Sequence, residues 1–92
     1  MTLIGKEKLK SFLLKHPDAE NWIKSWIAEV SQNLWDGPQA IKKRYASASF
    51  LSQNRVIFNV KGNNYRLEVK VSYATGTVLV MWVGTHAEYD NR

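Results

Sequence analysis

The stretch from Arg55 to Asp90 leaves this chain few folds to choose from. It holds three runs of β-branched and aromatic residues, separated by two short turns, Lys61-Gly62-Asn63-Asn64 and Ala74-Thr75-Gly76-Thr77. Gly and Asn tolerate the positive φ that tight hairpins require, so the pattern predicts a three-stranded antiparallel meander. In the middle run Tyr65, Leu67, Val69, Val71 and Tyr73 alternate with Asn64, Arg66, Glu68, Lys70 and Ser72. A period of two sends the first set to a core and the second to an exposed face, so Arg66, Glu68 and Lys70 project together. The strand before it offers Arg55, Ile57 and Asn59 on one side, and Val56, Phe58 and Val60 on the other. The third strand, Val78 to Val83, is apolar on both sides, which predicts a central strand or one covered by a partner.

Residues before the meander read as helical packing for one of its faces. Lys6 to His16 carries Leu9, Phe12 and Leu13 at helical spacing, and Pro17 ends that helix by pushing His16 away from the α region. Asp18 is then placed to cap a second helix, Ala19 to Leu34, with the apolar stripe Trp22, Ile23, Trp26, Ile27, Val30 and Leu34. Pro38 suits the first turn of a short helix, Gln39 to Arg44, on which Ile41 and Tyr45 share a side. Lys42, Lys43 and Arg44 fan out over the rest. They fit either a solvated helix end favoured by the macrodipole or a lip that faces phosphate. Ala46 to Gln53 reads as a small-residue connector with Phe50 and Leu51 tucked in, and Leu3-Ile4-Gly5 as either an edge strand or a lead-in. The expected fold is α+β, with N-terminal helices packed on a small antiparallel β-sheet.

At 92 residues the chain suits one domain, 1–92, with a single modest core. No apolar run approaches the ~20 residues of a membrane span, and the first residues lack the apolar region of a signal peptide. There is no cysteine, hence no disulfide framework and no thiolate chemistry, which fits a reducing cytoplasm. The net charge of +5 is unevenly placed. Between residues 37 and 74 seven cations (Lys42, Lys43, Arg44, Arg55, Lys61, Arg66 and Lys70) face Glu68 alone. Such a concentration is the electrostatic footprint of a polyanion or an acidic protein.

Thr85-His86-Ala87-Glu88-Tyr89-Asp90 is the dense cluster of titratable groups, at the exit of the third strand. His86 and Glu88 do not make a metal site, since the other histidine is distant at His16. No cofactor motif or Ser-His-Asp pattern is present. Were RNA the partner, the inventory suits cleavage by the substrate's own 2′-hydroxyl. That reaction needs groups that move protons, here His86 and Tyr89, and cations over the developing phosphorane charge, here Arg66, Lys61 and Lys70.

Two segments, R-V-I-F-N-V-K-G-N-N-Y-R-L (Arg55–Leu67) and V-G-T-H-A-E-Y-D (Val83–Asp90), resemble the HigB-type toxins of type II toxin–antitoxin systems, relatives of the RelE-like mRNA interferases. Trp35 to Leu51 resembles the linker and short helix of the same family. The resemblance implies helices on a small sheet whose other side forms a basic cleft. It also implies ribosome-dependent, metal-independent endonucleolytic cleavage of mRNA, with inhibition of translation. A HigA-type helix-turn-helix antitoxin would neutralise the toxin, and DNA would be met only through that antitoxin. The family's motif residues fall on Asn59, Gly62, Asn63, Arg66, Thr85, His86, Glu88, Tyr89 and Asp90. With the basic residues added, the expected catalytic set is Arg66, His86, Tyr89 and Lys61. The expected RNA-binding set is Lys42, Lys43, Arg44, Arg55, Asn63 and Lys70. Relatives often continue beyond the second motif, whereas here Asn91 and Arg92 follow it.

Overall fold

A computed structural model describes all residues from 1 to 92. The meander forms where the alternation places it, as β3 (Arg55–Val60), β4 (Tyr65–Ser72) and β5 (Thr77–Thr85). Two short strands extend it to a five-stranded sheet of order β1-β5-β4-β3-β2, with β1 at Thr2–Ile4 and β2 at Ser49–Leu51. The sheet is therefore mixed. β1 runs parallel to β5, while every other pairing is antiparallel. Gly5 joins β1 to α1 with φ +95°, and a Cβ there would stand 3.1 Å from that of Val80, so the crossing admits no larger residue without strain.

Four helices complete the chain: α1 (Lys6–Lys15), α2 (Glu20–Gln32), α3 (Pro38–Arg44) and α4 (His86–Asp90), with a 3-10 turn at Pro17–Ala19. One core lies between the sheet and the first three helices. Leu9 and Phe12 of α1, Ile23, Trp26 and Val30 of α2, and Ile41 of α3 meet Val56, Phe58, Val60, Leu67, Val69, Val71, Val78 and Val80 of the sheet. Phe58 is its centre, with ring centroids of Trp26, Tyr45 and Trp35 at 5.5, 5.2 and 6.3 Å. The stripe read on α2 holds through Val30 and fails at Leu34, which lies past the helix end and is 73% exposed.

Several further expectations change in three dimensions. Asp18 does not cap α2, whose N-cap is Ala19 without a side-chain bond. Its carboxylate instead accepts from the Tyr65 hydroxyl at 2.6 Å and from Lys61 Nζ at 3.2 Å. The connector Ala46 to Gln53 contains β2, closed against β3 by Gln53 and Asn54, both with positive φ (62° and 59°). Phe50 and Leu51 are exposed on that strand and not tucked in. In the next turn positive φ falls on Lys61 and Gly62 and not on the asparagines.

The largest departure concerns β5. Its register on β4 pairs Val71 with Val78, Val69 with Val80, then Glu68 with Trp82 and Leu67 with Val83. Met81 is the extra residue of a β-bulge. One inserted residue reverses which side chains face the core, because strand side chains alternate with a period of two. Val78 and Val80 point to the core before the bulge, and Val83 packs against it after the bulge. Trp82 is thereby delivered to the opposite face. A strand apolar on both sides is thus one core stripe with a change of step.

Two interior features give measurable expectations. The Tyr45 hydroxyl is buried without a partner, and burial pushes its pKa up to about 12. Removing an unpaired buried hydroxyl relieves a desolvation cost, so Tyr45→Phe should raise stability by about 1 kcal/mol, seen as a higher melting temperature. The Asp18–Tyr65 bond sets a pH dependence. The Tyr65 hydroxyl, with Lys61 behind it, lowers the Asp18 pKa, and Asp18 in turn raises that of Tyr65. A lowered carboxylate contributes stability above its unfolded pKa that is lost as pH falls through the folded one. A raised phenol contributes below its unfolded pKa and loses the contribution as pH rises. Denaturation midpoints should therefore fall below about pH 4 and above about pH 10, and Tyr65→Phe should flatten both limbs.

Candidate nucleic-acid interface

The sheet face away from α1 and α2 is built in three rows fixed by register. Asn59, Arg66 and Gly84 form the first, Ile57, Glu68 and Trp82 the second, and Arg55, Lys70 and Leu79 the third. α4 is folded back at the end of this face. It starts directly after β5 because Thr85 and Glu88 form a capping box. The Thr85 side chain accepts from Glu88 N at 3.1 Å, and Glu88 Oε1 accepts from Thr85 N at 2.8 Å. The bond from the Thr85 N–H, then that from its hydroxyl, lowers the Glu88 pKa. Thr85 and Glu88 of the second motif thus have an architectural job. Gly84 makes room for it, since a Cβ there would stand 2.7 Å from the Trp82 ring and 2.8 Å from Glu88 Oε1.

Arg66 lies folded over the β3–β4 turn, donating to the Tyr65 carbonyl at 3.1 Å, to the Asn63 carbonyl at 3.3 Å and to Asn63 Oδ1 at 3.4 Å. His86 opens α4 beside the same turn, its backbone N–H donating to the Asn64 carbonyl at 3.1 Å. Its Nε2 lies 3.2 Å from Asp90 Oδ2. The fold therefore gathers Arg66, Asn63 and His86 at one end of the face. Tyr89, one turn further along α4, meets Trp82 with ring centroids 6.0 Å apart. Arg55 and Lys70 stand in the third row, Lys70 exposed and Arg55 with its Nη1 3.7 Å from Glu68 Oε2.

Other expected residues are elsewhere. Lys61 turns to the helix side, held to Asp18. Lys42 donates to the Ala48 carbonyl at 2.8 Å, and Arg44 pairs with Glu29 at 3.0 Å, which raises its pKa. Lys43 is exposed nearby, on the rim of a cavity with Glu29 and Asp36. Lys42, Lys43 and Arg44 thus lie on the helical layer, and Arg44 also lines a cavity with Asn59, Gly62 and Asn63 beside the turn that Arg66 overlies. No three His, Asp or Glu side chains converge on one point.

Glu68 overturns its expected exposure. It is 4% exposed, the one buried charged side chain, and Arg92 Nη1 donates to its Oε1 at 2.7 Å. The Arg92 guanidinium also stands 4.7 Å from the Trp82 ring centroid and 5.4 Å from that of Tyr89. Sequence reasoning passed over Glu68, Trp82 and Arg92 as site residues. The alternation did place Glu68 between Arg66 and Lys70, but the bulge that presents Trp82 has no mark in the sequence.

A family model described as the RelE-like toxic component of a toxin–antitoxin system matches residues 19–92. The chain belongs to that family, the HigB toxins. It is the toxin of such a system, whose other member is an antitoxin. β1 and α1 precede the matched residues. No curated protein matches the chain. None of its helices is long and apolar enough to cross a membrane.

Proposed function

We propose that this toxin cuts mRNA endonucleolytically on the translating ribosome, in the cytoplasm, and so inhibits translation. The observation that carries the reading is Arg66 beside His86 on an exposed face that also bears Arg55 and Lys70. In the proposed reaction the 2′-hydroxyl attacks the adjacent phosphorus and loses its proton to a base. The P–O5′ bond breaks, and the leaving oxygen takes a proton from an acid, leaving a cyclic phosphate and a 5′-hydroxyl. His86 and Tyr89 are the proton carriers in this scheme. Arg66 stabilises the charge that grows on the non-bridging oxygens, and preorganised donors of this kind are usually the largest catalytic contribution. Arg55, Lys70 and Asn63 hold the RNA backbone, with Lys42, Lys43 and Arg44 reaching it from the helical layer. Lys61, exposed beside Asp18, adds positive charge at the turn that Arg66 overlies. The neutralising partner in this reading is a HigA-type helix-turn-helix antitoxin, and residues 1–92 act as one domain.

A second reading, a non-catalytic binding module or a degenerate toxin kept as a regulatory partner, is favoured by one observation. Arg55 and Arg92 are already paired with Glu68. Primer extension on messages after induction, with and without translation, decides between them. Defined cuts that need translating ribosomes support the nuclease. Intact message with salt-sensitive RNA binding supports the module.

A further inference from the structure

We propose that Arg92 is a positioning residue: anchored on Glu68, it holds the Tyr89 ring against the sheet and fixes the far end of α4. The inference rests on the reading that Tyr89 moves a proton, and adds what sets that group in place. α4 has five residues and buries none of them. Helices below about 12–15 residues are marginal by themselves, so its placement depends on ties to the rest of the fold. The first turn has two. The capping box joins Thr85 to Glu88, and the His86 N–H donates to the Asn64 carbonyl at 3.1 Å. At the far end the backbone N–H groups of Asn91 and Arg92 bond only to carbonyls of α4 itself, those of Ala87, Glu88 and Tyr89. The His86–Asp90 pair likewise lies within the helix. The Arg92 side chain is therefore the one polar tie between that end and the sheet.

Its anchor belongs to the sheet. Glu68 is buried and stands beside Trp82 in the register of β4 and β5. Arg92 Nη1 donates to Oε1 at 2.7 Å, whereas Arg55 Nη1 lies 3.7 Å from Oε2, so the two cations use different oxygens. A charge-assisted bond of this kind is about twice as strong as a neutral one. The same guanidinium stands 4.7 Å from the Trp82 centroid and 5.4 Å from that of Tyr89, and those two rings are 6.0 Å apart. Tyr89 thus rests in a corner, with Trp82 as one side and Arg92 as the other. Without Arg92 a single ring contact would hold it. Misplacing a reacting group by about 1 Å can cost about 10²-fold in rate.

The test pairs a measurement of position with one of rate, both on the full chain. By NMR, Arg92→Ala should erase the nuclear Overhauser contacts between the Tyr89 and Trp82 rings. It should also speed exchange of the Asn91 amide about tenfold, as local opening of α4 becomes easier. Arg92→Lys, which keeps the cation, should restore most of both. On programmed ribosomes Arg92→Ala should lower kcat about tenfold with KM unchanged. It should add little to Tyr89→Phe, because residues that act through one group are not additive. Ring contacts and exchange that stay native in Arg92→Ala overturn the inference whatever happens to cleavage. So does a loss carried by KM, or one fully additive with that of Tyr89→Phe, which would make Arg92 a direct RNA contact. Should Arg92→Ala fail to fold, Arg92→Gln, which keeps most of the reach and loses the charge, gives the same readings. An opened α4 with undiminished cleavage leaves the tie standing and removes Tyr89 as a proton carrier. Absence of cleavage by the native chain removes the nuclease, and the NMR comparison then decides the tie by itself.

Discussion

Arg66→Ala should relieve growth arrest and lower message cleavage about 10²–10³-fold, the usual effect of removing one preorganised donor from a site of developing negative charge. The fold should survive. Arg66 is half-buried, its bonds run only to Asn63 and Tyr65 in its own turn, and no core side chain rests on it. A surface change of this kind usually alters stability by about 0.5 kcal/mol or less. His86→Ala should act in the same direction, because the backbone bond from His86 to Asn64 persists without the imidazole. Colony counts on induction, with thermal melts of the purified variants, measure both effects. Full toxicity of both variants at equal expression would remove Arg66 and His86 from the site.

Phe58→Ala should lose toxicity for the opposite reason. The ring is 1% exposed and packs with Trp26, Trp35 and Tyr45, so truncation leaves a cavity among three other aromatic rings. Aromatic-to-alanine changes in cores cost about 3–5 kcal/mol. Small domains hold about 5–15 kcal/mol in total, so the variant should sit near its unfolding threshold. Urea denaturation should show a strongly lowered midpoint, and immunoblots a loss of soluble protein. An unchanged midpoint would show that Phe58 is not central to the core. Measured together, the two variants separate escape by loss of chemistry from escape by loss of protein.

What could be read along the chain was whatever repeats at short range. The period of two in Tyr65–Tyr73 placed β4 and its faces, and the helical spacing of Ile23, Trp26 and Val30 placed α2. The basic character of the sheet's second face followed from the same alternation. What could not be read depends on partners far away in sequence. Asp18 looked like a helix cap, yet Tyr65, 47 residues on, outcompetes that role. Leu3-Ile4 had no visible partner until β5 paired with it in parallel. Lys42 and Arg44 looked free because Ala48 and Glu29 are brought to them only by the fold. The capping box was legible as Thr85 followed three residues later by Glu88, but the motif drew attention to His86 instead.

The extra residue at Met81 has a consequence for how such a toxin can vary. Upstream of it the even positions Val78 and Val80 are committed to the interior, and downstream the commitment passes to the odd position Val83. The two halves of β5 thus answer to different packing demands. Trp82 stands outside the core and can be exchanged while Val78 and Val80 stay fixed, whereas Gly84 is held small by the Trp82 ring and the Glu88 carboxylate. One strand thereby serves as both foundation and adjustable workbench, with a single residue as the joint between them.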